Sequence, residues 1–262
     1  MEQAYPAVPI TLPIAVPLAE RVHNAQLSLG RGLPRFTDMP ETQLGVLGRA
    51  ALVSGGPSAA DSLNLIRKFP VVMACGSAGP WLLSQGIVPA YQVIFDPSEG
   101  HARFYQEADG RPIYLVASTC NDAVFEYLAG CDVRLWHPFD DVPEEIYRYE
   151  PRVGGGSTVT LRAIALAHIL GLREQHLFGF DCSYRHGVEH AYPHDQDRPQ
   201  PIEVNYGGRR FLTNPNLFVQ AQEFMRMYQH HQHELACRVY GDGLLGHIWA
   251  TETTPNVRPL DV

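Results

Sequence analysis

From Ala50 onward the chain alternates short apolar runs with longer stretches whose apolar residues recur at helical spacing. The runs Ala50–Ser54, Val71–Cys75, Tyr91–Phe95, Ile113–Ser118, Val133–Trp136, Gln175–Phe180 and Cys237–Tyr240 have the length of buried strands. Between them, helices are predicted over Ala59–Lys68, Gly79–Gln85, Asp122–Leu128, Val159–Leu170 and Asn216–Ala236. Gly86 and Gly171 stand where a glycine closes a helix. The Val159–Leu170 segment is apolar on most faces and is expected to be buried. Before this alternation, a proline-rich arm over residues 1–20 leads to a short helix at Glu20–Leu29.

Strands alternating with helices predict an α/β fold, a Rossmann-like and mainly parallel sheet with helices on both faces. The expected division is an N-terminal arm and helix over residues 1–48, then one domain over residues 49–262. Residues 182–213 form a long polar segment inside that domain and are expected to be a mobile lid. Ligands of such sheets bind beyond the carboxyl ends of the strands. That rule selects Gly55, Gly56, Pro57 and Ser58 after the first strand, Asp96 after the third, Ser118 and Asn121 after the fourth, and Asp181 after the sixth.

Two segments carry glycine-rich entries to a helix. In Ser54–Asp61 a Gly-Gly-Pro turn precedes Ser58 and Asp61, which are spaced as a capping box. In Gly154–Thr158, the residues Gly155, Gly156, Ser157 and Thr158 open the buried helix. Free amides at a helix start suit phosphate, so both are candidate nucleotide sites. A side chain at Gly56 is expected to exclude phosphate and leave the fold intact. Asp96 and Asp181, each closing an apolar strand, are candidate Mg²⁺ ligands and catalytic carboxylates. On the lid, His186, His190 and His194 are spaced for a helical metal site, but Gly187 and Pro193 oppose a helix there. His190 is therefore read as a catalytic or substrate-contacting histidine. Arg209 and Arg210 are candidate phosphate clamps.

Composition narrows the function classes. The chain has 262 residues, a net charge of −8 and 45% hydrophobic residues, which gives a sizeable core and no affinity for duplex nucleic acid as a main partner. Five cysteines, scattered and without a CxxC pair, fit reduced thiols in a cytoplasmic protein. The apolar stretch Val8–Leu18 is broken by Pro9, Pro13 and Pro17, so it is neither a signal segment nor a membrane span. The expected partners are a nucleotide and a small-molecule acceptor, and a homo-oligomer is a candidate assembly.

Four segments in order, Gly55–Ser58, Gly86–Pro97, Gly155–Leu161 and Leu170–Asp181, resemble the MptE-like family. That family includes archaeal 6-hydroxymethyl-7,8-dihydropterin diphosphokinases and the central domain of motility-associated flagellin glycosyltransferases. The resemblance runs from about residue 45 to 245. It implies diphosphate transfer from ATP with Mg²⁺ to a hydroxymethylpterin-like alcohol. Asp96 and Asp181 would hold the metal and the glycine turns the phosphates. An alternative is a glycosyltransferase using a CMP-activated nonulosonic sugar, since the same segments are similar to bacterial CMP-sialic-acid sialyltransferases. The segment Val204–Asn214 has no histidine where that group carries its general base. A non-catalytic nucleotide-binding protein is the third reading.

Overall fold

The computed structural model describes residues 16–39, 48–194 and 200–253. Most of the proline-rich arm lies outside the described residues. In chain order the elements are α1 (Leu18–Gly30), β1 (Arg49–Val53), α2 (Leu63–Ile66), β2 (Val72–Cys75), α3 (Ala78–Ser84), β3 (Tyr91–Ile94), α4 (Glu99–Ala102), β4 (Ile113–Ala117) and α5 (Asp122–Tyr127). They continue with β5 (Asp132–Pro138), β6 (Arg152–Val153), α6 (Val159–Ile169), β7 (Glu174–Phe178), β8 (Ile202–Tyr206), β9 (Arg209–Thr213), α7 (Pro215–His231), β10 (Ala236–Val239) and α8 (Leu244–Glu252).

Eight strands form one sheet in the order β10-β7-β1-β2-β3-β4-β5-β6, and every pairing in it is parallel. The chain enters at β1, winds outward to β6, then returns through α6 to the other side of β1. The strand order therefore reverses between β1 and β7, and this switch point is where such a sheet opens a crevice. Alternation along each strand serves both faces. In β1, Ala50 and Leu52 join the larger core with α5, α6, α7 and α8, while Ala51 and Val53 join a smaller core with Ile66, Trp81 and Leu82. Both faces being covered explains why the strands read as continuous apolar runs.

The strands and most helices lie where the pattern predicts them. The differences are local. Residues 59–68 do not form one α-helix: Pro57–Ser62 is a 3₁₀ turn followed by the short α2. Ser58 does not cap it, because the Ser58 N–H donates to Asp181 Oδ2 at 3.0 Å and the cap position is Gly56. β6 is two residues long and α8 has too weak an amphipathic pattern to be read. α7 ends at His231, short of Ala236, which opens β10. The expected lid contains an antiparallel hairpin, β8–β9.

Candidate functional site

The loops after β1, β2, β3, β4 and β7 and the N-terminus of α6 enclose a cavity of about 1090 Å³ at the carboxyl edge of the sheet. Helices of a parallel sheet run against the strands, so their amino ends gather at this edge. That volume accommodates a nucleotide-sized ligand.

The cavity brings together Gly55, Gly56, Asp96, Gly156, Ser157, Thr158, Asp181 and His190 from distant parts of the sequence. Asp96 stands on the rim, its Oδ1 accepting from the Ser98 N–H at 2.9 Å and the Ser98 hydroxyl at 2.6 Å. Asp181 is buried, and that burial raises its carboxyl above the usual range against the opposing bond from Ser58. His190 stacks on His194, ring centres 3.9 Å apart, and His194 stacks in turn on Phe104.

Other expected residues lie elsewhere. Pro57 and Ser58 sit beneath the turn, outside the cavity lining. The Gly56 N–H donates to the Gly179 carbonyl at 2.8 Å, the Ser58 N–H to Asp181, and the Ala59 N–H to the Gly56 carbonyl. The first glycine turn thus spends its amides on β7 and on itself. Ser118 is fully buried, and Asn121 caps α5 by accepting from the Ala123 N–H at 3.0 Å; Thr119 faces the cavity in their place. Gly155 packs below Gly156, where a Cβ would meet the Leu161 carbonyl oxygen at 2.7 Å. Arg209 and Arg210 do not reach the cavity. They line a separate depression of about 110 Å³ with Arg185 and Asp242, on the far side of Asp181. The hairpin carries them outward, and Arg209 faces Asp242 at 3.8 Å.

At α6 the arrangement differs. Thr158 caps the helix, its hydroxyl accepting from the Leu161 N–H at 3.3 Å. The amides of Val159 and Thr160 have no hydrogen-bond partner among the described residues. The second glycine-rich entry therefore keeps the orphan donors that the first has used.

Several cavity residues carry no motif. Arg162 is one turn into α6, 6% exposed, and makes no ion pair among the described residues. Its two terminal nitrogens donate to the Val153 and Phe139 carbonyls at 2.6 and 3.1 Å, its guanidinium lies over the Phe95 ring, and Nε is unpartnered. Burial pulls its pKa below the ordinary arginine value. An arginine inside an otherwise apolar helical run was the available signal. Glu223, half-buried on the amphipathic helix α7, offered none. Its Oε2 accepts from the Ser157 hydroxyl at 2.6 Å and the Ser157 N–H at 3.2 Å. His101, on α4, is buried in the cavity wall with Nδ1 3.3 Å from Asp96 Oδ2, close but not aligned as a hydrogen bond. Burial lowers its pKa despite that carboxylate, so the imidazole is neutral at pH 7. Arg21 of α1 also lines the cavity, held by Asp141 at 2.5 and 3.0 Å and by Asp140 at 3.4 Å.

Asp96 and Asp181 follow β3 and β7, with β1 and β2 between them. Three strand spacings put the ends of β3 and β7 about 14 Å apart. Strand ends that far apart do not favour one shared metal ion, whose oxygen ligands stand about 2.1 Å away. Among the described residues no group of three His, Cys, Asp or Glu side chains is placed to hold a metal. A Mg²⁺ ion carried in on phosphate oxygens needs only one carboxylate and water, and Asp96 on the rim fits that part.

Parallel sheet, switch point and cavity define a Rossmann-like α/β protein with a ligand site at the carboxyl edge of its strands. The chain belongs to the MptE-like family: the family model described as 6-hydroxymethylpterin diphosphokinase MptE-like matches residues 36–187, more than half of its length. Among solved structures it is similar to the MAf glycosyltransferase from Magnetospirillum magneticum AMB-1, at 19% identity and a TM-score of 0.68. That match covers 95% of this chain and 39% of the other, so the chain spans well under half the length of that protein. At such identity the likeness is one of fold. No curated protein matches the chain. The family's description names a diphosphokinase, which is a transferase activity. No helix among the described residues is long and apolar enough to cross a membrane.

Proposed function

We propose that the protein transfers diphosphate from ATP, carried with Mg²⁺, to the hydroxyl of a hydroxymethylpterin-like alcohol. The observation that carries this reading is the charge of the cavity. Six carboxylates, Asp96, Asp140, Asp141, Asp181, Glu189 and Glu223, line it against two arginines, Arg21 and Arg162. Arg21 is already neutralised by Asp140 and Asp141. A bare polyphosphate is repelled from such a lining, whereas one neutralised by a divalent cation is not. The family's description supports the same reaction.

In this reading the open amides of Val159 and Thr160 and the hydroxyls of Ser157 and Thr158 receive phosphate oxygens. Asp96 would hold Mg²⁺, which would offset the phosphate charge. The acceptor oxygen attacks the β-phosphorus. A new O–P bond forms, the bond from that phosphorus to the α,β-bridging oxygen breaks, and AMP leaves with the bridging oxygen. The acceptor's proton passes to an imidazole; His190 on the lid and His101, kept neutral by burial, are the candidates. Such catalysis rests on positioning and charge stabilisation.

The fold likeness to a glycosyltransferase supports transfer from a CMP-activated nonulosonic sugar as the second reading. A thermal-shift panel of ATP, GTP, CTP, CMP and CDP, each with and without Mg²⁺, separates the two. Saturating ATP with Mg²⁺ is expected to add about 2.7 kcal/mol at a hundredfold excess over Kd. Neither ATP alone nor CMP should do so, and AMP should appear only with the acceptor. A metal-independent response to CMP with none to Mg²⁺-ATP overturns the first reading in favour of the second. Nucleotide binding without turnover of any acceptor supports the non-catalytic one.

A further inference from the structure

The N-terminus of α6 already holds an anion, and that anion belongs to the protein. Glu223 reaches across from α7 so that one carboxylate oxygen takes both donors of Ser157. The glycines before it fold tightly against the first turn of α6: Gly155 and Gly156 lie at φ +136° and +155°, and a Cβ on Gly156 would meet Leu161 Cδ1 at 2.6 Å. Behind the same seat stands Arg162, 94% shielded, without an ion-pair partner among the described residues and with Nε unsatisfied. A desolvated cation is costly unless an anion offsets it. Arg162 and Glu223 lie near enough for their charges to interact, yet no carboxylate closes an ion pair with the guanidinium.

We propose that Glu223 is a built-in occupant of the anion seat formed by Ser157, the first amides of α6 and Arg162, and that a phosphate of the ligand displaces it on binding. Glu223 thereby sets specificity. A weakly held or singly charged anion does not displace a carboxylate tethered by its own chain, whose effective concentration is high. A diphosphate, with more charge and more acceptors, does. The inference rests on the proposed function only in naming phosphate as the displacing group.

The test is binding of inorganic diphosphate with Mg²⁺ in excess, read by calorimetry on the full chain, with no nucleotide and no turnover. Glu223→Ala is expected to bind diphosphate about tenfold more tightly than the unmodified protein, because the seat is vacant. Glu223→Gln keeps the size and hydrogen-bond acceptor without the charge, and is expected to fall between them. Adding Ser157→Ala to Glu223→Ala should remove most of the gain. Acetate in place of diphosphate should show the same order with a smaller gain. Circular dichroism confirms that each variant is folded; Glu223 is only half-buried on α7, so Glu223→Gln provides a second folded variant should Glu223→Ala not fold. Equal or weaker diphosphate binding by both folded variants overturns the proposal, as does the absence of binding in all of them. A failure of ATP-dependent diphosphate transfer leaves this comparison unaffected, so the two readings fail separately.

Discussion

Asp181 illustrates how a single carboxylate can be legible as important and misread in role. Its place after an apolar strand marks it in the sequence, but only the fold shows that it is buried and bonded to Ser58. Burial raises its folded-state pKa, so the native state binds more protons than the unfolded chain. Stability is fully present below the unfolded value, about 3.9, and falls as the pH rises from there through the raised folded value. Asn at this position still accepts the Ser58 N–H and cannot ionise. Asp181→Asn is therefore expected to be at least as stable as the unmodified protein at pH 7, with the difference vanishing at pH 3, in denaturant titrations at the two pH values. Its turnover is expected to drop more than about tenfold if the carboxylate meets the ligand. A variant less stable at pH 7 than at pH 3 relative to the parent contradicts this account. Arg162 and Glu223 make the complementary case, since neither belongs to a motif and only packing brings them to one seat.

At the scale of elements, the two glycine-rich turns look alike in sequence and do different work. The first, after β1, locks β1 to β7. A Cβ on Gly56 would collide with the Gly179 carbonyl and the Asp181 carboxylate, and one on Gly179, at φ +65°, would stand 2.5 Å from the Ser54 carbonyl oxygen. The expectation that a side chain at Gly56 leaves the fold intact is thus corrected. Gly56→Ala and Gly179→Ala are each expected to cost about 2–4 kcal/mol. Gly154→Ala, at a position with open space around it, is expected to change stability by less than about 1 kcal/mol. Urea midpoints of the three variants check this, and equal midpoints for Gly56→Ala and Gly154→Ala would falsify it. The second turn, before α6, gives its Ser157 amide to Glu223 and leaves those of Val159 and Thr160 open. Hydrophobic periodicity located both turns, but hydrogen-bond accounting across β1 and β7 was needed to tell them apart.

Across the molecule, the polar segment after β7 is not a uniformly loose lid. The Ala191 N–H donates to the Gly55 carbonyl at 2.8 Å, Tyr192 bonds Ser77 at 2.8 Å and stacks on Trp81, and Thr213 Oγ1 donates to the Cys182 carbonyl at 2.8 Å. Residues 195–199 lie outside the described residues. Amide exchange is expected to be at least about tenfold slower at Ala191 than at the hairpin turn, Gly207 and Gly208, even without ligand. Added Mg²⁺-nucleotide should slow exchange further around Glu189 and His190, which line the cavity, and leave the β8–β9 hairpin unchanged. Uniformly fast exchange over 182–194 and 200–213 would restore a wholly mobile lid. Arg209 and Arg210 follow the hairpin outward and so take no part in the cavity.

The sequence by itself determined the fold class and most strand and helix positions, because a two-sided parallel sheet demands continuous apolar strands and buried crossover helices. It also placed Gly55–Ser58, Asp96 and Asp181 at strand ends, since chain direction alone decides which loops share an edge. The tertiary structure decided which of these residues meet. Sheet order puts two strands between Asp96 and Asp181, the β1 turn consumes its own amides, and α7 delivers Glu223 to the start of α6. These are consequences of lateral strand order and helix docking, which depend on contacts between residues far apart in the chain and leave no periodic trace within any one segment.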